Sequence, residues 1–445
     1  MLLVGVFSLR KIKDPLSYFV ADRSGTTPAI TGSLLATIIG GSSTVGLAGL
    51  GYSKGLVGAW WMLVGVAGLF ILSFTLAEKV RRYEVFTLPE ILQRQYGGNL
   101  LRVVASALIV AAWLGIIAAQ FIAAGKILSV LWPGQLDLLM IIVAAVCIIY
   151  TVLGGQYSIL RTDFIQSIFI LFGIAICIVA GMSAVGGMAG MLEKLPQSYF
   201  SFPTSPGFST IDLLTFLFFV GATFLVGPDI YSRIFCARNP SVAKKSVMLS
   251  AVIMIPLAFS ITLIGMAARV LLPEISPESA FPALVMAFLP IGLNGLVIAA
   301  LLAAVMSSAD TCLLTTSTIL SADVIQPLFT SKMTDRNLLF ISRIIAFFVG
   351  ICALIIALKI KGVISSLLLG YTIYSGGLII PVLLGFYRKT LKLNASGAII
   401  SIISGGGLGL FLKLSGYDRI MLITVPVSAL LLFAGSYCER KVRGL

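Results

Sequence analysis

The sequence contains no histidine and only 6 cysteines. The absence of histidine excludes Ser-His-Asp triads, histidine proton relays and zinc sites of the usual kind. No CxxC pair occurs, and no two cysteines fall in a predicted outside loop, so we expect no disulfide. A P-loop, a GxGxxG motif after a strand and an HExxH motif are also missing. We therefore predict neither an enzyme nor a protein with an organic cofactor.

Charged residues are scarce as well. They make up 11% of the 445 residues, against about 25% in a typical soluble protein. Hydrophobic residues make up 59%, and the mean hydropathy is +1.08. A soluble domain cannot bury this much apolar surface, so the composition excludes a soluble enzyme, a secreted disulfide scaffold and a disordered protein. It predicts an integral membrane protein in a lipid bilayer.

The few charges are unevenly placed along the chain, whose net charge is +14. Basic residues cluster in alternate links between apolar runs. These clusters are Arg10, Lys11 and Lys13; Arg81 and Arg82; Arg233, Arg238, Lys244 and Lys245; Arg388, Lys389 and Lys392; and Arg440, Lys441 and Arg443. Such alternation is the positive-inside pattern. It predicts that these links and the C-terminus are cytoplasmic, in a multi-pass protein of the cell membrane, and it does not suggest nucleic acid as a partner.

Apolar runs long enough for a spanning helix, about 20 residues, recur along the chain. The predicted spans are 28–53, 57–78, 101–131, 136–153, 162–184, 210–235, 247–271, 283–324, 338–358, 363–387, 395–413 and 420–437. The run 283–324 is too long for one span, so we expect a short extracellular helix and then a span from about Asn294. The apolar start 1–9 is too short to cross, and we interpret it as a truncated outer helix. If that helix were complete, the N-terminus would be outside.

Two of the predicted spans look interrupted. The run 38–44 places two glycines and three hydroxyl residues inside the first span, and Gly227 with Pro228 interrupts the span 210–235. Proline removes a helical hydrogen bond, and unwound backbone at membrane depth is tolerated only where it lines a cavity or is buried in protein. Each interrupted span opens a set of five, which is typical of a transporter site. The alternative is an ordinary kink at packing glycines.

The span from about Asn294 carries an unusual polar stretch. Ser307, Asp310 and Thr311 are three and four residues apart and share one helix face. Hydroxyl and carbonyl oxygens at this spacing suit a hard cation. A carboxylate at the bilayer centre costs roughly 2.5–3.5 kcal/mol, which a bound cation would offset. Alternatively, Ser307 and Ser308 bond the preceding helical turn, and Asp310 is a proton relay or pairs with a basic residue.

Two further polar residues lie at the edge of a span or inside one. Asp163 is predicted to start a helix on the cytoplasmic side, either as an acid that favours the helix dipole or as part of an ion exit. Gln120 is a lone amide in an apolar span. It forms either a helix–helix hydrogen bond or part of the wall of a solute cavity.

Seven ordered motifs resemble those of the sodium:solute symporter family, which includes proline, pantothenate, choline, sugar and sialic acid transporters. The motifs are YFVADRS at 18–24, GLGYSKG at 49–55, TLPE at 87–90, AQF at 119–121, YTVLGG at 150–155, TDFIQ at 162–166 and AAVMSSAD at 303–310. The resemblance covers nearly the whole chain. The resemblance implies an all-α membrane fold of the LeuT type, a five-plus-five inverted repeat with extra outer helices. We expect about 12 full spans plus the truncated first helix.

The resemblance also implies a domain division and the ion sites. The divisions are 1–27 (truncated outer helix and cytoplasmic link), 28–184 (first repeat), 185–209 (extracellular loop), 210–387 (second repeat) and 388–445 (two outer helices). One sodium ion would take backbone oxygens of Ala36, Ile39 and Ala304 and the hydroxyls of Ser307 and Ser308. A second cation, bound in only some members, would match Asp163, Ser307, Asp310 and Thr311. An acid at position 310 departs from the hydroxyl residue expected in members with that second site.

The solute would bind between the two interrupted helices. The candidate wall residues are Ser42, Ser43, Gln120, Thr223, Gly227, Asp229 and Tyr371. The predicted function is sodium-coupled import of a small organic solute, such as proline, another zwitterion or a carboxylate, by a monomer that alternates access. One alternative is a proton-coupled carrier that uses Asp310. A transporter-like membrane sensor is less expected, since no soluble output domain follows the last predicted span.

Overall fold

The fold of the chain is almost entirely helical in a computed structural model that describes residues 14–329 and 334–443. Eleven helices in this part of the chain are long and apolar enough to cross a membrane. The prediction of an all-α integral membrane protein is confirmed. The helical fragment predicted at 1–9 lies outside the described residues.

Ten α-helices of the described residues precede residue 200. They are α1 (Pro15–Val20), α2 (Thr27–Ile38), α3 (Leu47–Lys54), α4 (Trp60–Thr75), α5 (Ala77–Arg82), α6 (Leu88–Tyr96), α7 (Asn99–Ser129), α8 (Leu136–Leu153), α9 (Gly155–Val185) and α10 (Gly187–Lys194). The first two predicted spans correspond to α2 with α3 and to α4. A continuous helical run, Ser42–Thr75, joins α3 to α4 and counts as one of the eleven long helices. Together with the short helix α2, these eleven account for the twelve predicted spans.

Twelve more helices follow in the second part of the chain. They are α11 (Thr210–Phe216), α12 (Ala222–Val226), α13 (Pro228–Cys236), α14 (Pro240–Leu271), α15 (Ala280–Phe288), α16 (Leu293–Ile319), α17 (Gln326–Phe329), α18 (Asp335–Ile360), α19 (Val363–Gly385), α20 (Arg388–Leu391), α21 (Ala395–Leu414) and α22 (Thr424–Arg443). The short helix α15 and the long helix α16 confirm the predicted division of the run 283–324.

The first predicted helix break is present. Helix α2 ends at Ile38, Ile39 has a non-helical ψ of 63°, and a wide π-helical turn, Ser42–Gly46, leads into α3. Gly40 lies in the bend between them. A Cβ atom at Gly40 would lie 2.3 Å from Ser308 Oγ, so only glycine lets the broken helix approach α16 this closely.

The second predicted break is also present. A π-helical turn, Leu217–Gly221, precedes α12, and Gly227 has an extended ψ of 133° before α13 begins at Pro228. Proline suits this first helical position, because its missing N–H would have no helical partner there. Both breaks therefore occur where local residue chemistry predicts them.

The start of α9 differs from the prediction. Gly155 has a φ of 56° and separates α8 from α9, so α9 begins at Gly155 and not near residue 162. A Cβ atom at Gly155 would lie 2.5 Å from Tyr18 Cδ2, so both the positive φ and the close contact require glycine. Asp163 consequently lies about two turns inside the helix. Its interpretation as an acid at a helix N-terminus is wrong.

The outward faces of several helices carry large exposed apolar side chains. Phe172 and Val179 on α9 are 54% and 66% exposed, and Phe348 on α18 is 61% exposed. In water such a surface would be costly, whereas in a bilayer it contacts lipid. The buried hydroxyl and carboxyl groups are instead concentrated on α16, which packs against α2, α7, α18 and the α8–α9 pair.

Candidate functional site

Ser308 joins α16 to the break at the end of α2. Its Oγ atom lies 2.6 Å from the carbonyl oxygen of Thr37, 3.4 Å from that of Ala36 and 3.2 Å from that of Ala304. The Ser308 side chain is only 3% exposed. Three carbonyl oxygens and one hydroxyl from two helices thus meet without a formal charge among them. Oxygen ligands of this kind suit a hard cation.

The other two predicted sodium ligands, Ile39 and Ser307, lie next to the oxygen atoms around Ser308. Ile39 stands at the break itself, where its non-helical ψ of 63° turns its carbonyl group out of the helical alignment. Ser307 precedes Ser308 on α16, but its hydroxyl donates to Asp163 Oδ1 at 2.5 Å. The structure therefore brings Ser308, Ala36 and Ala304 together and places the Ser307 hydroxyl against a carboxylate.

Asp163 is the centre of a buried polar network. Its Oδ2 atom accepts a hydrogen bond from Ser33 Oγ at 2.5 Å and forms an ion pair with Arg233 at 3.1 Å. The Asp163 and Arg233 side chains are 1% and 0% exposed. Arg233 also donates to Thr311 Oγ1. The two buried charges compensate each other, which is the arrangement that buried charges require.

Arg233 corrects one prediction from the sequence. It was grouped with the cytoplasmic basic residues, yet it is fully buried at the end of α13. The sequence could have indicated this burial, because Arg233 lies inside the predicted span 210–235. Basic residues within spans usually face a partner in the protein interior. Arg81, also grouped as cytoplasmic, is 6% exposed and donates from Nε to the Ala237 carbonyl oxygen at 2.5 Å.

The four residues predicted for a second cation are not all together. Asp163, Ser307 and Thr311 belong to one network, but the Arg233 guanidinium lies between Asp163 and Thr311 and supplies the positive charge. The Asp310 carboxylate instead accepts from Thr151 Oγ1 on α8 at 2.8 Å. Asp310 is 1% exposed, and no basic side chain of the described residues forms an ion pair with it. The pairing with a basic residue considered from the sequence is therefore absent from this part of the chain.

A small cavity of about 40 Å³ lies between the two helix breaks. Its walls combine hydroxyl, amide, carboxyl and aromatic groups. The lining residues are Thr37, Ile38, Gly40, Ser42, Ser43, Trp61, Trp113, Ile116, Gln120, Val220, Thr223, Phe224, Asp229, Ile230, Ser308, Cys312 and Tyr371. Ser308 and Gly40 belong to this wall, so the cavity and the oxygen cluster at the first break share residues.

Six of the seven predicted wall residues line this cavity. They are Ser42, Ser43, Gln120, Thr223, Asp229 and Tyr371. Gly227 is the exception, because it forms the break behind the wall, where a Cβ atom would lie 2.4 Å from the Thr223 carbonyl oxygen. Gln120 has both of the roles considered for it. It lines the cavity, and its Oε1 atom accepts from the Gly41 N–H at 2.8 Å.

Several residues of the site escaped sequence reasoning. Ser33, Thr37 and Thr151 contact Asp163, Ser308 and Asp310 respectively, and Phe224 lines the cavity. Hydroxyl residues are common in membrane helices and usually bond their own backbone. Their roles depend on which helices pack together, and residue spacing within one helix does not carry that information.

A profile of the sodium:solute symporter family matches residues 18–405. The chain belongs to this family. Human sodium/glucose cotransporter 4 is 26% identical over 92% of this chain and 66% of its own length. The sodium/glucose cotransporter of Vibrio parahaemolyticus is 27% identical, with 90% and 80% covered. Human sodium/myo-inositol cotransporter 2 is 28% identical, with 92% and 67% covered.

Solved structures share the fold. A Na⁺-coupled sialic acid symporter, in a substrate-bound outward-open state, superposes with a TM-score of 0.82 at 20% identity and covers 98% of this chain and 94% of that one. A nucleobase-cation-symport-1 family transporter superposes with a TM-score of 0.64 at 16% identity, with 97% and 96% covered. The predicted LeuT-type fold is thereby confirmed. The chain spans 66% of the human sodium/glucose cotransporter 4 and 59% of its Danio rerio counterpart.

Proposed function

We propose that this protein is a sodium-coupled symporter that imports a small organic solute by alternating access. The observation that carries the proposal is the oxygen cluster around Ser308, which combines a hydroxyl with carbonyl oxygens of Ala36, Thr37 and Ala304. Family membership and the names of the sodium-coupled relatives support sodium as the ion. The curated relatives are named for glucose and myo-inositol, whereas the residues also suggested proline, other zwitterions and carboxylates.

Sodium would act in this mechanism without covalent chemistry. An ion held by Ala36, Ile39, Ala304, Ser307 and Ser308 would tie the broken helix α2–α3 to α16. Because Ser308 and Gly40 also line the cavity, the same ion would order one wall of the solute site. The ion can shift the balance between outward-open and inward-open states only by its difference in affinity for the two.

The Ser307 hydroxyl would have two partners at once, Asp163 and the sodium ion. Its hydroxyl donates to Asp163 at 2.5 Å, and a sodium ion needs its oxygen lone pairs, which a donated hydrogen leaves free. Ser307 can therefore contact the ion while it remains bonded to Asp163. This arrangement links the sodium site to the Asp163–Arg233 pair without requiring a second ion.

Uptake into proteoliposomes tests the proposal. Vesicles with an inward sodium gradient should accumulate one or more of proline, choline, glucose and myo-inositol, and a sodium ionophore should abolish the accumulation. Potassium in place of sodium is the control. Equal accumulation with both ions would contradict sodium coupling.

Asp310 favours a second candidate, a proton-coupled carrier. Its carboxylate is buried with Thr151 as its hydrogen-bond partner and forms no ion pair with a described basic residue. A buried carboxyl group without a counter-charge favours its neutral form, and it could carry a proton. Sodium-independent uptake that follows a pH gradient and is lost in Asp310→Asn would support this candidate over sodium coupling.

The remaining features of the proposal concern orientation and assembly. We infer a monomer in the plasma membrane with a cytoplasmic C-terminus, because the basic residues of the links alternate along the chain. The proposed repeats are 28–184 and 210–387, and each opens with one of the two broken helices. Protease protection of a C-terminal tag in sealed vesicles tests the orientation.

A further inference from the structure

The cavity wall contains one carboxylate and no basic side chain. Among the described lining residues, Asp229 is the only aspartate or glutamate, and none is lysine or arginine. The other polar side chains of the wall are neutral, namely hydroxyls, the amide of Gln120, the indole N–H groups of Trp61 and Trp113 and the thiol of Cys312. The wall therefore carries a single negative charge when Asp229 is ionised.

Asp229 reaches the cavity because of the second helix break. It is the second residue of α13, which begins directly after the extended Gly227. The Asp229 side chain is partly exposed on the cavity wall. A carboxylate has about four acceptor positions, so one that faces the cavity can bind a ligand there.

The nearest basic residue in sequence does not pair with Asp229. Arg233 lies one turn further along α13, but its guanidinium forms the ion pair with Asp163 and donates to Thr311. Among the described residues, no salt bridge joins Asp229 to a lysine or arginine. The negative charge is thus left for whatever enters the cavity.

Aromatic rings surround the same space. Trp61, Trp113, Phe224 and Tyr371 all line the cavity, and the rings of Trp61 and Tyr371 lie 6.4 Å apart at 35°. The faces of such rings attract cations, and the attraction is strongest for tryptophan and for desolvated sites. A carboxylate beside aromatic rings is a chemistry that recognises amines and quaternary ammonium groups.

We propose that the solute carries a positively charged ammonium group that pairs with Asp229 between the aromatic rings. This inference rests on the proposed transport function and names its substrate class. A purely anionic carboxylate would meet Asp229 as a like charge without a lysine or arginine in the cavity wall to offset it. A sugar or polyol could donate hydrogen bonds to Asp229 but would leave its charge uncompensated in a nearly closed space.

The test uses the purified full chain in detergent with sodium present, and it measures thermal stability against ligand concentration. Choline is the probe for an ammonium group alone, and proline is the probe for an ammonium group with a carboxylate. Glucose and pyruvate are the neutral and anionic probes. We expect choline or proline to raise the melting temperature, because a ligand that binds only the folded state stabilises it. Glucose and pyruvate should not do so.

Three variants assign the effect to Asp229. In Asp229→Asn the midpoint concentration of the ammonium probe should rise at least about tenfold, as expected for the loss of a charge-assisted contact. Asp229→Glu keeps the charge and should retain part of the affinity. Asp137→Asn removes an acid that is 56% exposed and pairs with Lys361, and it should behave as the wild type. A sodium-dependent shift that persists in Asp229→Asn would show that this variant is folded.

The outcomes separate the two proposals. Stabilisation by glucose or pyruvate with the same midpoint in Asp229→Asn would overturn the ammonium assignment. So would a wild-type protein that sodium stabilises but neither choline nor proline stabilises further. If sodium has no effect while choline still binds through Asp229, the ammonium assignment holds and sodium coupling fails.

Discussion

Helix α16 presents two neighbouring polar regions that are built in opposite ways. Around Ser308, hydroxyl and carbonyl oxygens from α2 and α16 meet without a formal charge. Around Asp163, a carboxylate and the Arg233 guanidinium form a buried ion pair with hydroxyl partners. The Ser308 region offers neutral oxygen ligands to a cation, whereas the Asp163 region already contains a positive charge, the Arg233 guanidinium.

The difference explains why only one of the two regions is proposed to bind sodium. An ion entering the Asp163 region would compete with the Arg233 guanidinium, which contacts both Asp163 and Thr311. An ion entering the Ser308 region displaces no charged group. We therefore expect the Asp163 region to hold helices together and the Ser308 region to respond to sodium.

The largest effect is expected from Arg233→Gln, which leaves Asp163 as a buried charge without a partner. Breaking a buried ion pair from one side costs about 3–5 kcal/mol. The variant should show a strongly lowered melting temperature or fail to express. Lys361→Gln is the matched control, because its pair with Asp137 is about half exposed on both sides and should contribute at most about 1 kcal/mol.

A double variant makes this prediction specific. Arg233→Gln combined with Asp163→Asn removes both charges and should recover much of the lost stability, because the uncompensated charge is then gone. If Arg233→Gln alone is as stable as the wild type, the buried ion pair does not hold this region together.

The next effect is expected from Gly40→Ala. The added Cβ atom would lie 2.3 Å from Ser308 Oγ and 2.8 Å from Gln120 Oε1, so it must displace the groups that form the sodium cluster. Overpacking typically costs about 1–3 kcal/mol, and if the sodium-bound form bears this cost, sodium binding weakens by about 5- to 150-fold. A sodium titration of thermal stability measures this change.

Gly407→Ala is the control for Gly40→Ala. Gly407 lies in α21, where a Cβ atom would have no neighbour within 4 Å, so its sodium response should match that of the wild type. An unchanged sodium midpoint in Gly40→Ala would show that the first break does not take part in ion binding.

The smallest effect is expected from Asp310→Asn. Because the Asp310 carboxylate bonds Thr151 and takes part in no hydrogen bond of either region among the described residues, the sodium midpoint should stay within about twofold of the wild-type value, well under the factor of ten that 1.4 kcal/mol represents. Asparagine keeps the size and can still accept from Thr151. A large loss of sodium affinity would instead place Asp310 at a second cation site.

Much of this arrangement could be predicted from local sequence. Gly40 and the pair Gly227 and Pro228 mark the two breaks because glycine and proline act on the backbone where they stand. Ser308 could be predicted from the hydroxyl-rich stretch inside an apolar span and from the family motif that contains it. Six of the seven predicted wall residues line the cavity, and four of them, Ser42, Ser43, Thr223 and Asp229, lie close to the two breaks.

The predictions that were wrong concern the positions of Arg233 and Asp163. Arg233 was assigned to a cytoplasmic link although it lies inside the predicted span 210–235, and the sequence alone does not show that Asp163 is its partner in the fold. Asp163 itself was placed at a helix start, since the predicted span began at residue 162. Residues 155–162 form about two further turns of α9 before it.

The most direct test of the account is a thermal-stability comparison of the purified protein in sodium and in equal potassium, with Ser308→Ala beside it. Ser317→Ala is the matched control, because the Ser317 hydroxyl is also buried on α16 but donates only to the Leu314 carbonyl oxygen of its own helix. We predict stabilisation specific to sodium, of about 2.7 kcal/mol at a hundredfold excess over the dissociation constant, that Ser308→Ala loses and Ser317→Ala keeps. Equal stability of the folded wild type in the two ions would contradict the account.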